Sequence, residues 1–114
     1  MPWVLPANVS SPQEHWSLVA LLYDDGPGEI AIARGLWSES PVIAIRWNGS
    51  DDPGKSLGNP QSSGHATWFI LPDSLHIATL QMLAKKEKIG DVGVQSQALS
   101  IAMEDFGLRL GDTD

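Results

Sequence analysis

Four short apolar segments, separated by turn-forming residues, most constrain what this chain can fold into. They span residues 16–23, 29–34, 42–47 and 65–71. Each is shorter than a typical helix and is bounded by glycine, proline, aspartate or serine, a pattern typical of strands. The first two are joined only by 24–28, Asp-Asp-Gly-Pro-Gly, which predicts an antiparallel hairpin.

Two amphipathic segments follow the strands. The first begins after Leu-Pro-Asp-Ser at 71–74 and ends near Gly90, with lysines in its last turn, and the second covers 96–106. Strands first and helices last predict an α+β fold: a small antiparallel sheet of about four strands followed by two C-terminal helices packed on one face. We expect one domain over 1–114, with an irregular lead-in at 1–15.

The alternation of side chains along the strands predicts which of them are buried. Ile45 and Trp47 share one face of the third segment, while Arg46 lies on the other. In the fourth segment Phe69 and Trp68 lie on opposite faces. We expect Ile45 and Phe69 to be core residues, and Trp47 and Trp68 to be mostly buried.

The segment 48–64 differs from the rest of the chain because it is long, polar and rich in glycine and proline. Loops of this length are uncommon in small domains and are usually functional or disordered. We interpret it as a candidate ligand or partner site, and the alternative is a solvated connection with ordinary turn chemistry. The candidate site residues are Arg46, Trp47, Asn48, Asp51, Gln61, His65 and Trp68.

Two potential cations flank this loop in an otherwise acidic chain. Arg46 precedes it and His65 follows it, so pairing of the third and fourth strands would bring both to one sheet edge. Trp47 or Trp68 would supply an aromatic wall. The sequence therefore favours a small non-enzymatic accessory or binding protein, whose partner is a small anionic ligand or another protein. Its state as a monomer or a homodimer is left open.

Composition excludes several kinds of function. The chain has no cysteine, so disulfides, iron–sulfur clusters and cysteine nucleophiles are excluded. Its three histidines share no metal-ligand spacing, and we expect no metal, no catalytic residues and no cofactor. A formal net charge of −7 makes nucleic acid an unfavourable partner. No apolar run approaches the length of a membrane span, and we expect a cytoplasmic protein.

Two other functions compete with the binding interpretation. A small hydrolase could use His65 as a base with Asp51 and Ser62, although Ser62 lacks the glycine-flanked elbow of many serine hydrolases. Residues 66–107 resemble the strand–helix–helix layout of ribbon-helix-helix regulators, which implies a dimer paired through this strand. In that family the outward strand positions are polar or basic, whereas here they are Ala66, Trp68 and Ile70.

Overall fold

The computed structural model describes residues 3–108, so the two ends of the expected domain, including the first two residues of the lead-in, lie outside the described part. Strands β1 (Trp16–Asp24), β2 (Ile30–Trp37) and β3 (Ser40–Trp47) form an antiparallel meander. Ser38 and Glu39, both with positive φ, make the tight turn between β2 and β3. The apolar alternation in these segments is therefore satisfied by a sheet, as predicted.

The remaining elements complete an α+β fold. Short strands β4 (Gln61–Ser62) and β5 (His65–Ala66) form a separate hairpin, while β6 (Phe69–Ile70) joins the main sheet in the order β1-β2-β3-β6. Helices α1 (His76–Lys88) and α2 (Ser96–Asp105) follow. The predicted four-strand antiparallel sheet with two C-terminal helices is confirmed. None of the described helices is long and apolar enough to cross a membrane.

The segment 65–71, expected to be one strand, is divided between two sheets. His65–Ala66 pairs with β4, and Phe69–Ile70 pairs with β3 through Ala44 and Ile45. Between them the backbone changes partners: Thr67 N donates to Pro60 O at 3.1 Å, and Trp68 N donates to Ser11 O at 3.0 Å. The lead-in and the end of the loop thus take the hydrogen bonds that a continuous strand would have given to β3.

Apolar side chains cover both faces of the main sheet. One cluster joins the sheet residues Ile32 and Ile43 to the helix residues Leu80, Leu83 and Leu99. The opposite cluster contains Val9 of the lead-in, alanines of β2 and β3, and the rings of Trp16 and Trp68, which are tilted by 41° with their centroids 6.1 Å apart. The lead-in therefore works as a covering layer for the face that the helices leave open.

A buried tyrosine fixes the connection between the helices to the first strand. Tyr23 is 2% exposed and donates from its hydroxyl to Asp91 Oδ2 at 3.0 Å, while Lys86 Nζ lies 3.5 Å from the same oxygen. Gly93 N donates to Asp91 Oδ1 at 2.9 Å. This last bond, with help from Tyr23 and Lys86, holds the pKa of Asp91 below its usual value. Burial raises the pKa of Tyr23.

One end of the helix-covered face is left open. Trp47 at the end of β3 is 55% exposed and Phe69 on β6 is 54% exposed, and neither belongs to the helix-side cluster. The expectation that both are core residues is therefore wrong, and Ile45 is only partly buried. The alternation predicted the correct face, but the helices pack over the Ile32 and Ile43 end of that face and do not cover this one.

Candidate functional site

The loop 48–64 folds back against the end of β3. Trp47 and Asn59 exchange two backbone hydrogen bonds, with Trp47 N to Asn59 O at 2.7 Å and Asn59 N to Trp47 O at 3.0 Å. The entry of the loop is held by Gly28 N, which donates to Gly49 O at 2.9 Å. Its middle is joined to the lead-in by Val4 N, which donates to the carbonyl oxygen of residue 56 at 2.9 Å. The loop thus has a defined path on a rigid scaffold.

The side chain of Arg46 also binds the loop, through hydrogen bonds to its backbone. Its side chain is 1% exposed, and its two terminal nitrogens donate to the backbone carbonyl oxygens of Thr67 and Leu57. Its Nε has no hydrogen-bond partner among the described residues. Burial lowers the pKa of Arg46. The positive charge therefore stands in the interior, satisfied by carbonyl dipoles and by no carboxylate of the described part of the chain.

Only glycine fits where the loop crosses this arginine. Gly58 has a φ of +67°, and a Cβ added there would lie 2.1 Å from Trp47 O and 2.7 Å from Arg46 Nη2. The positive φ and the lack of space each disfavour any residue larger than glycine at this position. The loop can approach β3 this closely only because position 58 carries no side chain.

A polar cleft lies between the loop and the turn that precedes β2. Its volume is about 680 Å³, and Trp47, Asn48, Asp52, Lys55 and Gln61 are among its lining residues. Asn48 is 4% exposed, and its Nδ2 donates to Asp24 Oδ1 at 3.0 Å and to Gly26 O at 2.9 Å. Since both partners are acceptors, the orientation of the amide is fixed. Its Oδ1 has no donor among the described residues.

An apolar groove lies on the other side of Trp47. It has a volume of about 340 Å³ and is walled by Ile30, Ile45, Pro60, Trp47 and Phe69, with Arg46 also lining it. Strand pairing places these side chains next to one another, because Trp47 is opposite Ile30 on β2 and Phe69 is opposite Ile45 on β3. Trp47 is thus shared between the cleft and the groove.

The structure brings together four of the seven candidate site residues. Trp47, Asn48 and Gln61 line the cleft, and Arg46 and Trp47 line the groove. Gln61 Nε2 donates to Gly58 O at 2.8 Å, beside the carbonyl that Arg46 binds.

The other three candidate residues lie elsewhere. Trp68 is 3% exposed in the opposite core cluster and donates from Nε1 to Val9 O at 2.8 Å. His65 is exposed on β5 and borders a different depression, shared with the lead-in. Asp51 is exposed on the loop and lines neither the cleft nor the groove. The partner of β3 at the sheet edge is Phe69 rather than His65, so Arg46 and His65 are not brought together.

Sequence reasoning missed Ile30, Asn59, Pro60 and Phe69. A signal for Ile30 existed, since a hairpin between β2 and β3 places the start of one strand against the end of the other. Phe69 could not be recognised, because its exposure depends on how far the helices extend over the sheet. Asn59 and Pro60 belong to a loop whose path depends on contacts with Arg46 and Trp47.

The structure also places the residues on which the hydrolase and the ribbon-helix-helix alternatives depend. Ser62 and His65 are cross-strand neighbours in the β4–β5 hairpin, and no side-chain hydrogen bond joins Asp51, Ser62 and His65 among the described residues. Phe69–Ile70, the strand that a ribbon-helix-helix dimer would use between chains, pairs with β3 of its own chain. Within residues 3–108 no group of three or more histidine, aspartate or glutamate side chains could hold a metal ion.

Comparison with known proteins adds no assignment to this geometry: no protein-family model matches the chain, and neither a curated protein nor a solved structure matches it.

Proposed function

We propose that this protein is a non-enzymatic binding module whose site is the surface that the loop 48–64 builds around Trp47. The observation that carries the proposal is the position of Trp47: its backbone is fixed by two hydrogen bonds to Asn59, while its ring is 55% exposed between a cleft and a groove. An aromatic side chain on a fixed backbone offers a large contact area at a low cost in conformational entropy. Exposed tryptophans of this kind are enriched at binding surfaces.

The chemistry around Trp47 supports binding. The polar residues that line the cleft include Ser50, Asp52, Lys55 and Gln61, and such groups orient a ligand by hydrogen bonds. The groove supplies apolar walls. A mostly apolar cavity with a few directed polar groups is the usual form of a ligand site.

Nuclear magnetic resonance with a fragment library tests the proposal. A defined panel of monocarboxylates, saccharides, nucleotides and short peptides is titrated into ¹⁵N-labelled protein. We expect some members to shift the Nε1 signal of Trp47 and the amide signals of 48–61, while the signals of helix α2 stay unchanged. Shifts confined to other surfaces, or none across the panel, would overturn the proposal.

A matched pair of variants separates the site from general apolar exposure. Trp47→Ala should abolish these shifts, because it removes the wall common to both cavities. Val92→Ala is the control, since Val92 is 96% exposed and lines neither cavity. Both variants should remain folded. Equal responses from the two would contradict the assignment of the site to Trp47.

A further inference from the structure

The polar cleft beside Trp47 has side chains that a ligand can reach. Asp52, Lys55, Asn59 and Gln61 line the cleft, and all four are exposed. Within the described part of the chain, neither Asp52 nor Lys55 forms an ion pair. The cleft therefore offers a carboxylate, an ammonium group and two carboxamides, a set that contains both hydrogen-bond donors and hydrogen-bond acceptors.

Backbone hydrogen bonds fix these groups relative to the aromatic ring. Trp47 and Asn59 are directly opposite each other in an antiparallel bridge, so their side chains lie on the same side of the backbone. Lys55 N donates to Asp52 O at 3.0 Å, which closes the turn that carries both charged groups. Gln61 Nε2 donates to a carbonyl oxygen of the loop at 2.8 Å, which orients its amide and leaves Oε1 as an acceptor.

A half-exposed indole beside several polar groups suits a ligand with one apolar face and a polar edge. Trp47 is 55% exposed and lines the cleft, whose volume of about 680 Å³ lies within the range of about 300–1,000 Å³ that is usual for small-molecule sites. A pyranose ring presents C–H groups on its face, and these pack against the electron-rich face of an aromatic ring. Its edge presents hydroxyl groups, each of which both donates and accepts hydrogen bonds.

We propose that the cleft binds a neutral saccharide. One pyranose ring packs on the indole of Trp47, and its hydroxyl groups form hydrogen bonds with Asp52, Asn59 and Gln61. This assignment rests on the proposed function, since it names the ligand class for one part of the same surface. No covalent step is involved.

The charges of the cleft favour a neutral saccharide over other small molecules. Asp52 and Lys55 carry opposite charges in the same cleft, so a charged ligand of either sign meets one attractive and one repulsive group. A nucleotide would also bring negative charges to a chain whose formal net charge is −7. An apolar ligand would displace water from the polar groups of the cleft without replacing its hydrogen bonds. Hydroxyl groups replace those bonds and carry no charge.

Titration of cellobiose, maltose, lactose and diacetylchitobiose into the intact ¹⁵N-labelled protein tests the inference. Sorbitol is the matched control, because it carries similar hydroxyl groups on an open chain and lacks the rigid C–H face. We expect one or more of the disaccharides to shift the Nε1 signal of Trp47 and the amide signals of 50–61. Such a disaccharide should bind about ten-fold or more tightly than sorbitol, since sorbitol cannot pack on the indole. The inference is wrong if no disaccharide shifts these signals or if sorbitol binds as tightly.

Two adjacent aspartates provide a matched pair of variants. Both are exposed on the loop, but Asp52 lines the cleft whereas Asp51 lines neither the cleft nor the groove. Asp52→Ala should weaken the binding of the tightest disaccharide several-fold, because it removes a charge-assisted hydrogen bond to a hydroxyl group. Asp51→Ala changes the net charge by the same amount and should leave the affinity unchanged. Equal effects of the two substitutions would contradict the placement of the saccharide in the cleft.

The two proposals fail in different ways. If fragments of another class shift the signals of Trp47 and 48–61 but no disaccharide does, the saccharide inference is wrong and the binding function stands. If no compound of any class shifts signals around Trp47, the binding function is wrong as well.

Discussion

The buried guanidinium of Arg46 donates a hydrogen bond to the backbone carbonyl oxygen of Leu57, across the loop that separates β3 from β4. A second bond from the same group reaches Thr67 O, between β5 and β6. One side chain therefore ties the end of β3, the middle of the loop and the connection to the sheet edge into one unit. Residues of these segments line both the cleft and the groove. We therefore expect the shape of both cavities to depend on the two hydrogen bonds of Arg46.

The first prediction concerns the arginine itself. Arg46→Met keeps most of the apolar volume but removes the donor from a buried carbonyl oxygen, Thr67 O, and from a partly buried one, Leu57 O. A buried acceptor left without a donor costs about 1–3 kcal/mol. Removal of a desolvated charge offsets part of this, so we expect a net loss of about 2–4 kcal/mol in the free energy of unfolding. Urea denaturation measures the loss. Hydrogen exchange of the amides of 49–60 should accelerate well before global unfolding.

Arg34 is the matched control for this experiment. It also lies on a strand, but it pairs with the carboxylate of Asp105 near the surface. Arg34→Met should therefore cost about 1 kcal/mol or less, as surface ion pairs do. Exchange in the loop should be unchanged. If both variants lose the same stability and neither alters exchange at 49–60, Arg46 does not tie the loop.

The second prediction compares two glycines of the loop. Gly58 and Gly54 have similar positive φ values, +67° and +77°, so alanine at either is strained by about 1–2 kcal/mol. Only at Gly58 does a Cβ also meet other atoms, with Trp47 O at 2.1 Å, whereas at Gly54 nothing lies within 4 Å. Gly58→Ala should cost about 1–3 kcal/mol more than Gly54→Ala in thermal or urea unfolding. Equal losses would show that the loop does not approach β3 as described.

The third prediction concerns acid stability. The backbone N–H of Gly93, then Tyr23 and Lys86, hold the pKa of Asp91 below its usual value. The unfolded carboxyl titrates near a pKa of about 3.9. Asp91 therefore contributes stability that is fully present above that pH, and the contribution is lost as the pH falls through its lower native pKa. Urea unfolding between pH 2 and 6 should show a steeper acid decline in the wild type than in Asp91→Asn.

Tyr23→Phe should reduce the acid dependence of stability less than Asp91→Asn does. It removes one hydrogen bond to Asp91 but leaves the bond from Gly93, which is the larger cause of the lowered pKa. The acid decline of Tyr23→Phe should therefore lie between those of the wild type and Asp91→Asn. If the free energy of unfolding of Asp91→Asn falls as steeply with acid as that of the wild type, other carboxylates cause the decline.

Much of the sheet follows from local signals, whereas the site depends on long-range contacts. Alternation in 42–47 placed Ile43 and Arg46 on opposite faces correctly, since a strand has only two. Polarity and glycine content marked 48–64 as unusual, but they could not show that Arg46 turns inward to bind Leu57 O. Local sequence patterns could not predict the division of 65–71 either, because it depends on a long-range hydrogen bond. Trp68 N donates to the carbonyl oxygen of Ser11, a residue of the lead-in, instead of to a strand of the main sheet.

The last prediction tests this division through two adjacent aromatic residues. The alternation alone makes Phe69 a core residue, but the structure exposes 54% of Phe69 and only 3% of Trp68. Trp68 also packs against the tilted ring of Trp16 and donates a hydrogen bond to Val9 O, so Trp68→Ala should cost about 3–5 kcal/mol, as large-to-small changes in a core do. Phe69→Ala should cost less than about 1 kcal/mol, since it lies on an open surface. Chemical denaturation of both variants measures the contrast. A large loss at Phe69 with a small one at Trp68 would place the helices over the groove and close the site described here.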